Sequence, residues 1–354
     1  MNVLLTCVGR RNYLVKYFQD ALDGRGKVIG ADSSPSAAAL KDADEGCIVP
    51  AINSPDYFDI LERICTERNV GLLISLNDLE LPRLARERER FLRIGTIAVI
   101  SSPEVVDLCF DKWRTIEFLR SIGLDSPLSF TSPAEALHVL RTGDLSFPLI
   151  LKPRWGSASI GIELVENEVE LSAAYQLLRS RIRRSILAEA SNSDVDRSIL
   201  IQEVLPGTEY GLDVINDLDG RYVATLARKK LSMRAGETDR AMTVLDRPLE
   251  ELGRTIGSGL GHIGNLDCDV FVSPNRTCVL EMNPRFGGGY PFSHVAGADL
   301  PAAMVAWATG NAAEASWFRA EPDVVAGKYD RVVSLPPPIA AQSFGGQAAE
   351  ETVR

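Results

Sequence analysis

Residues 277–285 read Thr-Cys-Val-Leu-Glu-Met-Asn-Pro-Arg, an apolar run that delivers a carboxylate, Glu281, and two residues later an amide, Asn283. Residues i and i+2 of a strand share a face, so these side chains present oxygens side by side, with Arg285 at the strand's mouth. Magnesium takes one or two carboxylates and completes its shell with phosphate oxygens and water, so the pattern suits a magnesium–phosphate site. The preceding run, residues 266–272, also alternates and carries a second acid, Asp269. A five-residue connection, 273–277, places Asp269 directly opposite Glu281, whereas four residues would put the two on opposite faces. Facing carboxylates repel unless a cation lies between them. The five-residue register, with metal on that face, is therefore expected. A solvated surface hairpin accounts for one acid, but poorly for three oxygen donors followed by an arginine.

A second signal is Lys152, which leaves the apolar run 148–151 and precedes the small-residue stretch 154–162, Arg-Trp-Gly-Ser-Ala-Ser-Ile-Gly-Ile. Such a loop brings backbone N–H groups close to phosphate oxygens. It lacks the Lys-Ser or Lys-Thr ending of a Walker loop. Glycine turns are common, but a lysine emerging from a buried run needs a reason. The third signal is residues 199–214, where a strand ends in a linker and restarts after Gly207. Linker backbone groups can read the polar edge of adenine and an acid can take ribose hydroxyls. Alone, this stretch is an ordinary hairpin.

The elements that must position these groups begin with alternation. Strand-like runs at 2–6, 28–31, 70–75 and 96–100 are separated by helix-like runs at 13–22, 56–69 and 81–92. This order implies a parallel, doubly wound sheet whose ligands sit beyond the carboxyl ends of its strands. Gly9, Arg10, Arg11, Asp32, Asn77 and Asp78 are then expected around one cleft. The charged run 83–93 reads as a solvated helix face. One helix is expected from Pro103 to about Ile122, then helices at 134–141, 169–183, 249–259 and 300–309, with strands and loops between. The polar tail 336–354, opened by three prolines, is expected to be poorly ordered.

The chain has 354 residues, enough for two or three packed units, and a net charge of −10, which argues against a nucleic-acid backbone as the main partner. Its six cysteines form no close pair, so neither a zinc pattern nor a disulfide framework is present, and a reducing, cytoplasmic setting is expected. No apolar run approaches membrane-spanning length and no export signal is visible.

Taken in order, these segments resemble the ATP-grasp superfamily, and look most like the ATP-binding modules of carbamoyl-phosphate synthetase large chains. The resemblance covers roughly residues 1 to 320. It implies an α/β N-terminal doubly wound parallel sheet plus α+β ATP-grasp lobes. The units expected are an N-terminal domain at 1–102, a lid-bearing subdomain at 103–202 and a C-terminal subdomain at 203–320. It implies ATP as cosubstrate with Mg²⁺ as cofactor, Mn²⁺ being an acceptable substitute. Lys112 and Lys152 match the phosphate-binding lysines, and Gly156, Ser157, Ser159 and Gly161 belong to the phosphate-covering loop. Glu203, Val204 and Leu205 match the adenine-binding linker, and Glu209 the ribose-binding acid. Asp269, Glu281 and Asn283 match the magnesium ligands, and Arg285 the arginine near the γ-phosphate and the acyl-phosphate intermediate. The implied activity is carboxylate–amine ligation, with Arg285 and Lys152 as catalytic residues.

On the substrate side, residues 228–238, with Arg228 and Lys230, look like a strand and loop that close over the phosphates, although 236–238 also fits a mobile surface loop. Gly288 and Gly289 suggest close approach to a ligand, because three glycines in a row cost backbone entropy. His294 is a candidate substrate contact, although a lone histidine is more often packed. Arg10 and Arg11 hint at an anionic substrate at the first helix N-terminus. The partners expected are small-molecule carboxylates and amines, with a homodimer as an allowed assembly. A nicotinamide dehydrogenase is a poor rival, since the first turn, Cys7-Val8-Gly9-Arg10-Arg11, lacks G-x-G-x-x-G. A nucleotide-binding regulator without turnover and an ATP-dependent carboxylase remain as alternatives.

Overall fold

In the computed structural model, which describes residues 1–156 and 161–335, the first hundred residues wind both faces of one sheet. Its five parallel strands lie in the order Glu45–Ile48, Val28–Asp32, Asn2–Thr6, Val70–Ser75, Ile97–Ala98. Alternation along Asn2–Thr6 explains why both faces are covered. Val3 and Leu5 join Leu14, Val15 and Phe18 of helix Asn12–Leu22 on one side. Leu4 joins Tyr57, Phe58 and Leu61 of helix Tyr57–Glu67 on the other. Each such buried side chain contributes roughly 1.5–3 kcal/mol.

Several expectations are corrected here. Strand Glu45–Ile48 was not anticipated, because it is a short edge strand of alternating half-exposed residues. The helix expected over 103–122 is two helices, Pro103–Phe110 and Lys112–Ser121, broken where Asp111 adopts extended geometry. The helix expected over 81–92 is likewise divided, into Leu81–Arg86 and Arg88–Arg93.

A four-stranded antiparallel sheet follows, ordered Ser129–Phe130, Ile199–Glu203, Leu149–Pro153, Glu163–Val165 and backed by helix Glu168–Ile182. The third sheet is antiparallel and six-stranded, in the order Arg276–Asn283, Gly264–Ser273, Thr208–Asn216, Tyr222–Arg234, Glu237–Val244, Val325–Gly327. Its last strand lies beyond residue 320, where the third unit was expected to end. Helix Arg247–Leu260 packs Leu249, Ile256 and Leu260 against it.

The acidic hairpin reaches the expected pairing by a different route. The strands are joined by Pro274 and Asn275 alone, with Ser273 opposite Arg276, not by five residues. That register would miss Glu281 by one residue. A bulge at Leu280 inserts the missing residue, after which Asp269 faces Glu281 and Asp267 faces Asn283.

The expected loop over 236–238 is also different. Ala235 and Gly236, both with left-handed φ, make a two-residue turn, and Glu237 already pairs with Arg234. Ser157, Ser159 and the tail 336–354 lie outside the described residues.

Candidate active site

All three sheets contribute to one cavity of about 480 Å³. The parallel sheet reverses its strand order between Asn2–Thr6 and Val70–Ser75, the place where doubly wound sheets open a crevice. The residues that follow those two strands, Cys7 and then Leu76, Asn77 and Asp78, line the cavity. Asp32, expected nearby, is occupied otherwise, since its carboxylate accepts from Gly9 N and Ser34 N at 2.9 Å each.

Two lysines line the cavity. Lys152 leaves strand Leu149–Pro153 into the cavity and is buried. Burial pulls its ammonium down to about 8, with Lys112 adding to the depression and Glu281 and Asp269 opposing it. Lys112 begins helix Lys112–Ser121 and donates to the Gly156 carbonyl.

Asp111 fixes where that helix starts. Its Oδ1 accepts from Trp113 N at 3.0 Å, and its two oxygens take Arg154 Nε and Nη2 at 2.7 Å each. Lys112 N in turn donates to Arg154 O at 3.1 Å. Both side chains are buried, so Asp111→Ala removes a helix cap and strands a guanidinium that retains only Asp194. The expected cost is about 3 kcal/mol in urea unfolding, together with weaker nucleotide binding as Lys112 loses its anchor. Unchanged stability would show that the Arg154–Asp111 pair does not hold this junction.

Facing the lysines, Asp269, Glu281 and Asn283 project into the cavity, with Asn283 Nδ2 3.3 Å from Glu281 Oε1. Lys230 bridges Glu209 and Asp269 at 2.6 Å each. Burial pushes the Asp269 carboxyl up; Asp267, Glu281 and Glu209 add to the shift and Lys230 opposes it. Carboxylates crowded in this way favour a further cation, and an all-oxygen donor set suits a hard divalent ion. Among the described residues no three His, Cys, Asp or Glu form a ready-made cage. Magnesium, which needs one or two carboxylates, requires none.

The Arg285 side chain, 8% exposed, lies between the acidic hairpin and the parallel sheet. It donates to Asp267 and Asp78 at 2.9 Å each, and its Nε has no partner among the described residues. Neither carboxylate was singled out as its partner from sequence. Asp78 lies 207 positions away, and only the sheet's switch point, which placed Asp78 at the cleft, could have pointed to it.

Other expected contacts fall elsewhere. Arg228, expected on the substrate side, is 1% exposed and held by Asp213 and Asp267, away from the cavity. Gly289 lines the cavity, but a Cβ there would lie 2.2 Å from Arg228 Nε and Nη2, and one on Gly287 would lie 2.1 Å from the Asp267 carboxylate. Two of the three glycines thus make room for internal charges. Gly288 also lines the cavity. His294 stacks on Tyr17 with ring centroids 3.5 Å apart and does not line the cavity. Arg10 is exposed and outside it, whereas Arg11 lines it. Gly156 is in the wall, and its left-handed φ and a Cβ position 2.8 Å from Leu187 both demand glycine. Gly161 is not in the wall, but it too has a left-handed φ, and a Cβ there would meet Leu178 at 2.9 Å. Glu203, Val204 and Leu205 lie beyond the cavity wall; the Glu203 carboxylate accepts from Leu128 N at 2.6 Å and Arg276 Nη1 at 2.7 Å.

Residues 3–100 match the family model of the PylC-like N-terminal domain, and residues 196–328 match that of the ATP-grasp in the biosynthetic pathway with Ter operon. Residues 196–328 thus carry an ATP-grasp domain. Over 272 residues it is 25% identical to the carbamoyl phosphate synthase large chain of Campylobacter jejuni, spanning 73% of this chain and 23% of that protein. The ATP-grasp fold is also that of the Campylobacter jejuni biotin carboxylase–β,γ-ATP complex, with a TM-score of 0.68, 19% identity, and coverage of 90% of this chain and 73% of the other. The L-amino acid ligase of Bacillus licheniformis superposes with a TM-score of 0.61 at 16% identity, covering 86% and 73%. No described helix is long and apolar enough to cross a membrane.

Proposed function

We propose that the chain is an ATP-dependent ligase that joins a carboxylate to an amine through an acyl phosphate, releasing ADP and phosphate. The observation that carries this reading is the facing of Lys112 and Lys152 against Asp269, Glu281 and Asn283 across one cavity, with Arg285 behind them. Lys112 and Lys152 hold the phosphate oxygens and spread their charge. A substrate carboxylate oxygen attacks the γ-phosphorus, and the bond to the bridging oxygen breaks with its electron pair leaving on ADP. Positioning and charge neutralisation do most of this work. Magnesium, which Asp269, Glu281 and Asn283 would hold, supplies further charge neutralisation when bound. The neutral amine then attacks the acyl carbon, the carbon–oxygen bond to phosphate breaks with its electron pair on phosphate, and the amine's extra proton passes to the departing phosphate or to water. Arg285, fixed by Asp78 and Asp267, stabilises the developing oxyanion before phosphate departs.

Bicarbonate as the carboxylate would turn the same steps into a carboxylation, and the shared fold with biotin carboxylase is the observation behind that second reading. The test is ADP release measured against carboxylates, amino acids, amines and bicarbonate, with mass spectrometry of the products. ADP release that requires both a carboxylate and an amine, that chelation of divalent cations abolishes, and that Lys152→Ala lowers by about 10²-fold or more is the expected result. Nucleotide binding without turnover would refute the ligase and leave a regulator. Dependence on bicarbonate alone would select the carboxylase.

A further inference from the structure

Part of the cavity's lining has no task in phosphoryl transfer. It comes from the switch point of the parallel sheet, through Leu76 and Asn77, and from the hairpin turn opposite, through Met233 and Glu237. Two groups of opposite charge stand there. Arg11 is anchored by a bond from Nη1 to the Phe286 carbonyl at 3.0 Å. The Glu237 carboxylate takes Lys328 Nζ on Oε2 at 3.1 Å, and no described residue bonds Oε1.

Both charges border the same short stretch of chain: Arg11 bonds the Phe286 carbonyl, and a Cβ at Gly288, two residues on, would lie 3.3 Å from Glu237 Oε2. Burial works against the charged form of Glu237, yet Lys328 and then Arg11 and Arg10 hold its carboxyl below the usual range. Glu237 is therefore anionic, and it feels Arg11.

Resting on the ligase reading above, we propose that this part of the cavity binds a free α-amino acid as one of the two organic substrates, with Arg11 taking the α-carboxylate and Glu237 the α-ammonium. An α-amino acid carries both charges on one carbon, at the spacing a neighbouring guanidinium and carboxylate can reach together. A simple amine leaves Arg11 without a counter-charge from the substrate, and a dianion meets Glu237. Leu76 and Met233 provide apolar wall for a side chain.

The test is calorimetric titration of the common L-amino acids, and of their α-amides, into the full chain with a non-hydrolysable ATP analogue and magnesium. At least one L-amino acid is expected to bind, and its α-amide to bind about tenfold more weakly or worse, because a charge-assisted contact is lost. Arg11→Gln is expected to make acid and amide equal. Glu237→Gln is expected to weaken the amino acid by a similar factor while leaving unchanged the binding of the matching carboxylic acid that lacks the α-amine, titrated alongside. An α-amide that binds the unaltered protein as well as the acid would overturn the assignment, and so would failure of every amino acid to bind. ADP release reports separately on the ligase. An amino acid that binds in this manner to a protein with no turnover sinks the ligase and keeps the subsite. Turnover of amines lacking a carboxylate, undiminished by Arg11→Gln, does the reverse.

Discussion

Glu281→Gln is expected to lower ADP release by about 10³-fold while changing unfolding free energy by less than about 1 kcal/mol. The separation of the two effects is the informative part. Glutamine keeps the shape of the side chain and an oxygen for the Asn283 amide, 3.3 Å away. It removes a charge that favours the buried Lys152 ammonium but is opposed by Asp269 directly across and by Asp267 two residues further along the facing strand. Relief of that repulsion offsets any lost hydrogen bond. The activity has no such compensation, because the carboxylate is the group that would neutralise a cation between the hairpin and the phosphates. ADP release measured beside urea unfolding decides it. A variant as active as the parent would end the metal-face reading, and a variant that has merely unfolded would show up in the second measurement.

The main lines of this site were legible because they rest on parity. Glu281 and Asn283 share a face whatever the register, and the demand that Asp269 oppose Glu281 correctly required an odd residue somewhere in the hairpin. The residue is Leu280 in a bulge, not a longer turn. A chain can absorb an extra residue at either place, and apolar alternation does not mark which. Lys152 was legible for a similar reason, as a charge at the end of a strand whose neighbours Leu149 and Leu151 are fully buried.

What stayed hidden depends on distant partners. Arg228 sits in a run of three basic residues that reads as a solvated or ligand-facing edge. Its face could have been inferred from Leu226, two residues earlier and buried, but nothing local announces Asp213 and Asp267 as its counter-charges. The break at Asp111 was masked because helical periodicity continues on both sides of it, and only the capping potential of an aspartate before Lys-Trp-Arg signals the interruption. Glu237 was assigned to a loop, since the two left-handed residues that reverse the chain are Ala235 and Gly236, and alanine rarely takes that conformation.

Gly289→Ala is expected to cost about 3–5 kcal/mol in unfolding free energy and to depress ADP release as well. The added Cβ would lie 2.2 Å from Arg228 Nε and Nη2, a separation no side chain can hold. The guanidinium cannot step aside cheaply. Its Nη1 is 2.5 Å from Asp213 and its Nη2 is 3.2 Å from Asp267, in a site only 1% exposed for the arginine and closed for Asp213. Moving it leaves buried carboxylates without their cation. The effect reaches the site because Asp267 also takes Arg285 at 2.9 Å, so a displaced Arg228 frees Asp267 to turn and Arg285 to follow. Arg228→Met separates this mechanism from simple overpacking. Methionine removes the guanidinium that the new methyl group strikes, and Asp213 keeps Ser293 at 2.6 Å and Asn265 at 3.1 Å. The double variant should therefore be more stable than the sum of the single costs predicts, by 1 kcal/mol or more on the order of couplings between contacting residues. Strict additivity in that cycle would mean that the glycine at 289 answers to something other than Arg228, and a bound ligand would again be the better reason for it.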